Sequence, residues 1–166
     1  MTIITQTPRI IIREFLPDEL ETYLNHFNDE RVIEHIPKRT RDERITIFNI
    51  ALSEYTGSKT KGIWGMFYAD SDEFIGSCLL RPFGDTSDKL ELGYSLDHKD
   101  WGKGLASEMA KAMVNHGFFD SAITEIVACT TVENIPSQRV LENAGLKRDG
   151  NLLRGELDLP FFSLKR

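Results

Sequence analysis

The chain has 166 residues, 28% of them charged and 40% hydrophobic, and a formal net charge of −6. That length suits a single domain, residues 1–166, with one sizeable core. The acidic balance argues against a broad nucleic-acid binder, which carries a basic footprint. No apolar run approaches the ~18 residues of a membrane span, and Met1–Gln6 lacks the basic and long apolar regions of a signal peptide. A cytoplasmic protein with neither nucleic-acid nor membrane partners is expected.

Arg9 to Phe15 predicts the first strand. Pro17-Asp18-Glu19 opens a helix with Leu20, Leu24 and Phe27 at helical spacing, and Asp29 through Pro37 reads as a second short helix or an irregular link. Thr40 caps a third helix, with Glu43 completing a capping box, apolar Ile45, Phe48 and Leu52 on one face, and Gly57 at its end. Lys38, Arg39, Arg41 and Arg44 gather at its start, as a solvated face or as a lip over an anionic ligand. Gly62–Ala69 and Phe74–Arg81 predict two strands joined by the polar turn Asp70–Glu73, and Pro82–Asp88 a loop. With the strand at Leu90–Leu96 they make an antiparallel meander.

The stretch from Leu90 to Phe118 organises the rest. Leu90, Leu92, Tyr94 and Leu96 alternate with Glu91, Gly93, Ser95 and Asp97, the period of a strand with one buried face. Asp100-Trp101-Gly102-Lys103-Gly104 breaks that period. From Leu105 a helix follows, with Leu105, Met109 and Met113 on one row and Gly117 as its stop. A glycine loop entering a helix N-terminus exposes unpaired amides to a positive dipole end, and this suits phosphate. Lys103 could add charge there. No P-loop string or complete dinucleotide fingerprint is present.

Beyond that helix, Glu125–Thr131 predicts a buried strand parallel to Leu90–Leu96. Asn134 N-caps a helix carrying Pro136 in its first turn, Val140, Leu141 and Ala144 on its apolar face, and Gly145 at its end. Gly155–Lys165 predicts one or two final strands, in which Pro160 marks an edge or a bulge. Cys78 and Cys129 make neither a disulfide framework nor a zinc site and read as buried reduced thiols. His26, His35, His98 and His116 share no ligand spacing and read as surface or helix decoration, His98 being nearest the glycine loop. No metal is expected.

Trp101-Gly102-Lys103-Gly104-Leu105-Ala106 resembles the pyrophosphate loop of the GNAT acyltransferases, Gln/Arg-x-x-Gly-x-Gly/Ala, with Trp101 departing at the first position. That departure, the preceding Glu-Leu-Gly-Tyr and the string from Asn134 to Glu142 resemble the Rim-type branch, the ribosomal-protein N-terminal acetyltransferases. The resemblance implies an α/β (α+β) fold, a mixed, mainly antiparallel sheet with helices on both faces. Within it, the strands at Leu90 and Glu125 splay apart. It implies acetyl-CoA as the acyl donor and a primary amine acceptor, with a monomer or homodimer both compatible.

By position matching, the backbone amides of Gly102, Lys103, Gly104, Leu105, Ala106 and Ser107 hold the pyrophosphate, with Trp101 also counted among the cofactor-binding residues. The backbone of Leu96 pairs with the pantetheine arm, and Asn134 bonds to that arm. Many family members place a tyrosine where this chain has Leu141. The resemblance to the Rim-type branch then assigns Ser137 as proton donor to the leaving thiolate, against a simpler role as a cap or a cofactor contact. Glu91 is the candidate base, acting through water. The acceptor is expected to be a protein N-terminal α-amine, with a polyamine, amino acid or antibiotic as alternatives. A non-catalytic acyl-CoA sensor would keep the loop and Asn134 without needing Glu91 or Ser137.

Overall fold

The computed structural model describes residues 1–166. Eight strands form one sheet: β1 (Ile3–Gln6), β2 (Ile10–Arg13), β3 (Gly62–Tyr68), β4 (Phe74–Pro82), β5 (Lys89–Leu96), β6 (Glu125–Cys129), β7 (Lys147–Arg154) and β8 (Leu157–Lys165). Their order is β1-β2-β3-β4-β5-β6-β8-β7, and every pair is antiparallel except β5 with β6. The meander β3-β4-β5 and the mixed, mainly antiparallel sheet are as expected. Two strands are additions. β1, an edge strand, lies in the stretch read only for signals, and β7 fills the span between Leu146 and Gly155. β7 is mostly solvent-facing, with little apolar periodicity to betray it.

The helices divide between the faces. A 3₁₀ turn at Pro17–Glu19 leads into α1 (Leu20–His26), followed by α2 (Glu30–Ile33) and α3 (Arg41–Glu54). Together they cover β3 and β4 on one face over Phe15, Tyr23, Leu24, Phe48 and Phe67. The capping box of α3 forms as predicted: Glu43 N donates to Thr40 Oγ1 at 3.2 Å, and Thr40 N to Glu43 Oε1 at 3.4 Å. On the other face α4 (Leu105–Phe119) and α5 (Ile135–Asn143) pack on the larger core, which joins Leu90, Leu92 and Leu96 to Leu105, Met109 and Met113.

α4 runs past Gly117, so the predicted stop is corrected. A Cβ at Gly117 would lie 2.8 Å from Ile126 Cδ1. That glycine lets the helix approach β6 closely. Pro160, expected to mark an edge or a bulge, lies beside a bulge and not at an edge. It lies in β8 between β6 and β7, its carbonyl accepts from Thr130 N at 3.3 Å, and the register with β7 shifts between Arg148 and Asn151, beside it.

The feature that positions a site is the short ladder between β5 and β6. Only Lys89, Leu90 and Glu91 of β5 pair with β6, opposite Glu125, Ile126 and Val127. From Leu92 onward the two parallel strands have parted, leaving a gap in the middle of the sheet. This is the splay implied by the family resemblance.

Candidate active site

At the mouth of the gap, β5 gives way to a 3₁₀ turn, His98–Asp100, and then to the glycine loop. Gly102 and Gly104 have φ of +73° and +78°, a left-handed conformation that side chains disfavour. A Cβ at Gly102 would meet nothing within 4 Å. The loop therefore presents bare backbone to solvent ahead of α4, whose first amides point outward. Arg9, in the β1–β2 turn, steadies it: Nη1 donates to the Lys103 carbonyl at 2.9 Å, and Nε to Glu108 Oε2 at 2.7 Å. Sequence reading missed Arg9, which is 94 residues from the carbonyl it holds. Lys103, expected to add charge to the loop, has a partner within the protein. Its Nζ turns to Asp100 Oδ1 at 3.2 Å, an oxygen that also accepts from the Tyr68 hydroxyl at 2.7 Å.

The strand geometry fits an arm laid along β5. Asp97 N donates to Ile75 O on β4. By strand alternation the backbone groups of Leu96 point the opposite way, into the gap. Its carbonyl accepts the Trp101 indole N–H at 3.0 Å, so the residue that departs from the family pattern closes the corner between strand and loop.

Across the gap stands α5. Asn134 caps it by accepting from Ser137 N at 3.3 Å. The Tyr94 hydroxyl donates to Ser137 Oγ at 3.0 Å, linking β5 to the first turn of α5. Burial pushes the Tyr94 phenol up, against a smaller opposing effect of the Ser137 hydrogen bond, so it stays a protonated donor at neutral pH. Alternation marked Tyr94 as a core position; its hydroxyl partner lies 43 residues away.

Glu91 lies on the opposite face of β5, and its carboxylate is 5% exposed. Arg81 Nε donates to Oε1 at 2.7 Å, and Arg154 Nη2 to Oε2 at 2.7 Å. Cys129 Sγ is 3.6 Å from Oε2. Both oxygens of this carboxylate, the expected water-linked base, are engaged by guanidinium groups. The carboxylate is an anchor for two arginines.

The histidines are mostly structural rather than decorative. His26 is buried between α1 and β5, with Nδ1 donating to Asp97 Oδ1 at 2.5 Å and Nε2 placed 2.8 Å from Ser95 Oγ. His35 Nδ1 meets Thr131 Oγ1 at 2.7 Å, which ties the segment after α2 to the loop after β6. His116 meets the Lys59 carbonyl at 2.7 Å. Only His98 keeps to the surface, its ring 4.7 Å from that of Trp101. The basic cluster is largely committed within the helix layer. Arg41 pairs with Glu21, Arg39 with Glu43, and the buried Arg44 lies over the Phe27 ring at 3.8 Å.

A glycine cradle at a helix N-terminus, beside a parted strand pair, suits a phosphate-bearing ligand with an arm laid along β5. Comparison with known proteins agrees. A family model described as an acetyltransferase (GNAT) domain matches residues 9–147, and the chain belongs to that family of acetyltransferases. It is 26% identical over 171 residues to a protein of Bacillus licheniformis described as the uncharacterized N-acetyltransferase p20, covering 95% of this chain and 93% of that one. In fold it is similar to a GNAT-family acetyltransferase from Bacillus anthracis, with a TM-score of 0.81, 23% identity, and coverage of 99% and 98% of the two chains. It is also similar to RimL, a ribosomal L7/L12 alpha-N-protein acetyltransferase in complex with coenzyme A, with a TM-score of 0.83, 14% identity and the same coverage. The fold is thus shared with a Rim-type enzyme.

Proposed function

We propose that this acetyltransferase uses acetyl-CoA to acetylate a primary amine, and that the amine is the α-amine of a peptide or protein N-terminus. The observation that carries the reading is the parting of β5 and β6. It opens the sheet between a phosphate-suited cradle at α4 and a face, beyond the cover of α1–α3, on which Arg81 and Arg154 remain half-exposed. A carrier can enter from one side and an extended acceptor from the other. The fold likeness to RimL supports the peptide acceptor.

Acetyl-CoA, when bound, supplies an activated thioester. The amides from Gly102 to Ser107 hold its pyrophosphate, and Arg9 keeps their loop in shape. The Leu96 N–H and Asn134 orient its arm. Ser137 Oγ holds the proton that the departing sulfur needs. The Tyr94 hydroxyl, donating to Ser137, is placed to replace it, so the two form a short relay. Glu91 orients Arg81 and Arg154 rather than accepting a proton.

The test begins with thermal unfolding with acetyl-CoA, and with NAD and ATP as controls. A ligand at about 100 times its Kd stabilises by about 2.7 kcal/mol, and acetyl-CoA alone is expected to raise Tm by several degrees. An acceptor screen follows, comparing N-terminal peptides with polyamines and aminoglycosides. Turnover of peptides supports the reading; turnover confined to polyamines or antibiotics replaces the acceptor. Ser137→Ala retaining full kcat would remove the relay.

A further inference from the structure

On the acceptor side of the gap the structure holds an arrangement that acetyl transfer itself does not require. Arg81 on β4 and Arg154 at the end of β7 come from strands far apart in the sheet order, yet both converge on Glu91. The carboxylate is 5% exposed, whereas the guanidinium side chains are 53% and 40% exposed. Two positive charges thus share one buried negative charge, and the excess faces outward. Nearby, Lys89 Nζ pairs with Glu125 at 3.3 Å. The surroundings are partly apolar. The rings of Phe83 and Phe161 lie 5.7 Å apart, and Leu159 is buried. Such walls strengthen charge recognition relative to open water. A guanidinium held by one carboxylate retains N–H donors for a second anion.

We propose that Arg81 and Arg154, aimed by Glu91, receive a carboxylate carried by the acceptor near its reacting amine. The inference rests on the amine-acetylating reading of the same site and names its substrate class. Spacing narrows it further. Glu91 lies three residues before Tyr94, the residue that reaches Ser137, and a strand rises about 3.3 Å per residue, so the two positions are about 10 Å apart along β5, with their side chains on opposite faces of the sheet. An extended peptide covers that distance along the strand in about three residues. The acceptor class this favours is an N-terminal peptide with an Asp or Glu side chain within its first three residues.

The experiment compares Ser-Glu-Ala-amide with Ser-Gln-Ala-amide as acceptors, and free serine with serine amide. At low salt KM for the acidic peptide is expected to be about tenfold lower, the gap shrinking at 0.5 M salt as screening grows. Arg81→Gln and Arg154→Gln are each expected to erase the preference, while a Tm still raised by acetyl-CoA reports an intact fold. Calorimetric binding of the N-acetylated forms of both peptides makes the same comparison without turnover. Should a variant fail to fold, the wild-type preference and its salt dependence still decide. Preference for free serine over its amide, with the peptides untouched, supports the receptor but replaces the peptide acceptor. Equal KM and equal binding for the acidic and neutral peptides overturns the inference and leaves peptide acetylation standing. So does a preference that survives in both arginine variants. Turnover of polyamines alone, with no binding of either peptide, overturns the inference and the peptide reading together.

Discussion

At the scale of single residues, the site turns on hydroxyls and on one anchored carboxylate. Tyr94→Phe removes only the donor behind Ser137, leaving the ring in the core. We expect kcat to fall about tenfold, the equivalent of one hydrogen bond of roughly 1.4 kcal/mol, with KM for acetyl-CoA little changed; steady-state kinetics checks both. Cys129 reports on Glu91. Burial raises the thiol's pKa first, the Glu91 charge raises it further, and Arg154 and Arg81 oppose them. The thiol therefore stays protonated at neutral pH and alkylates slowly. Glu91→Gln removes a negative neighbour while the two guanidinium groups remain, so the thiolate becomes easier to form. Iodoacetamide labelling at pH 8, read at Cys129 by mass spectrometry, is expected to quicken. The same variant is expected to leave the acidic limb of the kcat profile unmoved, as an anchoring role requires. None of these partnerships was legible in the chain. Strand alternation assigned Glu91 and Tyr94 to opposite faces correctly, but their partners Arg154 and Ser137 lie 63 and 43 residues on.

At the scale of elements, α4 and its loop are tied to the N-terminal hairpin through Glu108. That carboxylate accepts from Thr7 Oγ1 at 2.5 Å and from Arg9 Nε at 2.7 Å. Burial alone would raise its pKa, but the bonds to Thr7 and Arg9 outweigh burial and hold it below the usual carboxylate range. A depressed carboxylate contributes stability above its unfolded pKa, and this is lost as pH falls through the lower folded value. Glu108→Gln is therefore expected to cost about 1 kcal/mol at pH 7, within the range of a partly exposed ion pair, and almost nothing near pH 2. Urea unfolding at the two pH values checks the sign. Because Arg9 also holds the Lys103 carbonyl, the variant should weaken acetyl-CoA binding at pH 7 as well. The strand, glycine loop and helix were readable from periodicity and glycine placement. What braces them was not, since β1 is a four-residue edge strand with no strong pattern.

At the scale of the whole molecule, the sheet is two halves joined by a three-residue parallel ladder. Beyond the ladder only side chains cross: Tyr94 to Ser137 and His35 to Thr131 bridge the parted region, while Arg154 reaches Glu91 beside it. Backbone amides on the gap side of Leu92–Leu96 lack a β6 partner. They are expected to exchange quickly in the free protein and to gain protection with acetyl-CoA, whereas Leu90 and Ile126 change little. Hydrogen exchange followed by mass spectrometry distinguishes this from a uniform slowing, which would indicate global stabilisation alone.

By itself the sequence determined the elements of the middle of the chain, their antiparallel meander, the parallel return, and a glycine loop suited to phosphate. Those properties follow from local rules: side-chain period, capping chemistry, and the freedom of glycine at positive φ. Only the tertiary structure decided which residues meet. It brought Arg81 and Arg154 onto Glu91, set the Tyr94 hydroxyl against Ser137, seated His26 between Ser95 and Asp97, and drew Lys103 to Asp100. Those pairings depend on strand order and on the parting of β5 from β6. These are fixed by how the two cores close on either face of the sheet, and no local pattern encodes them.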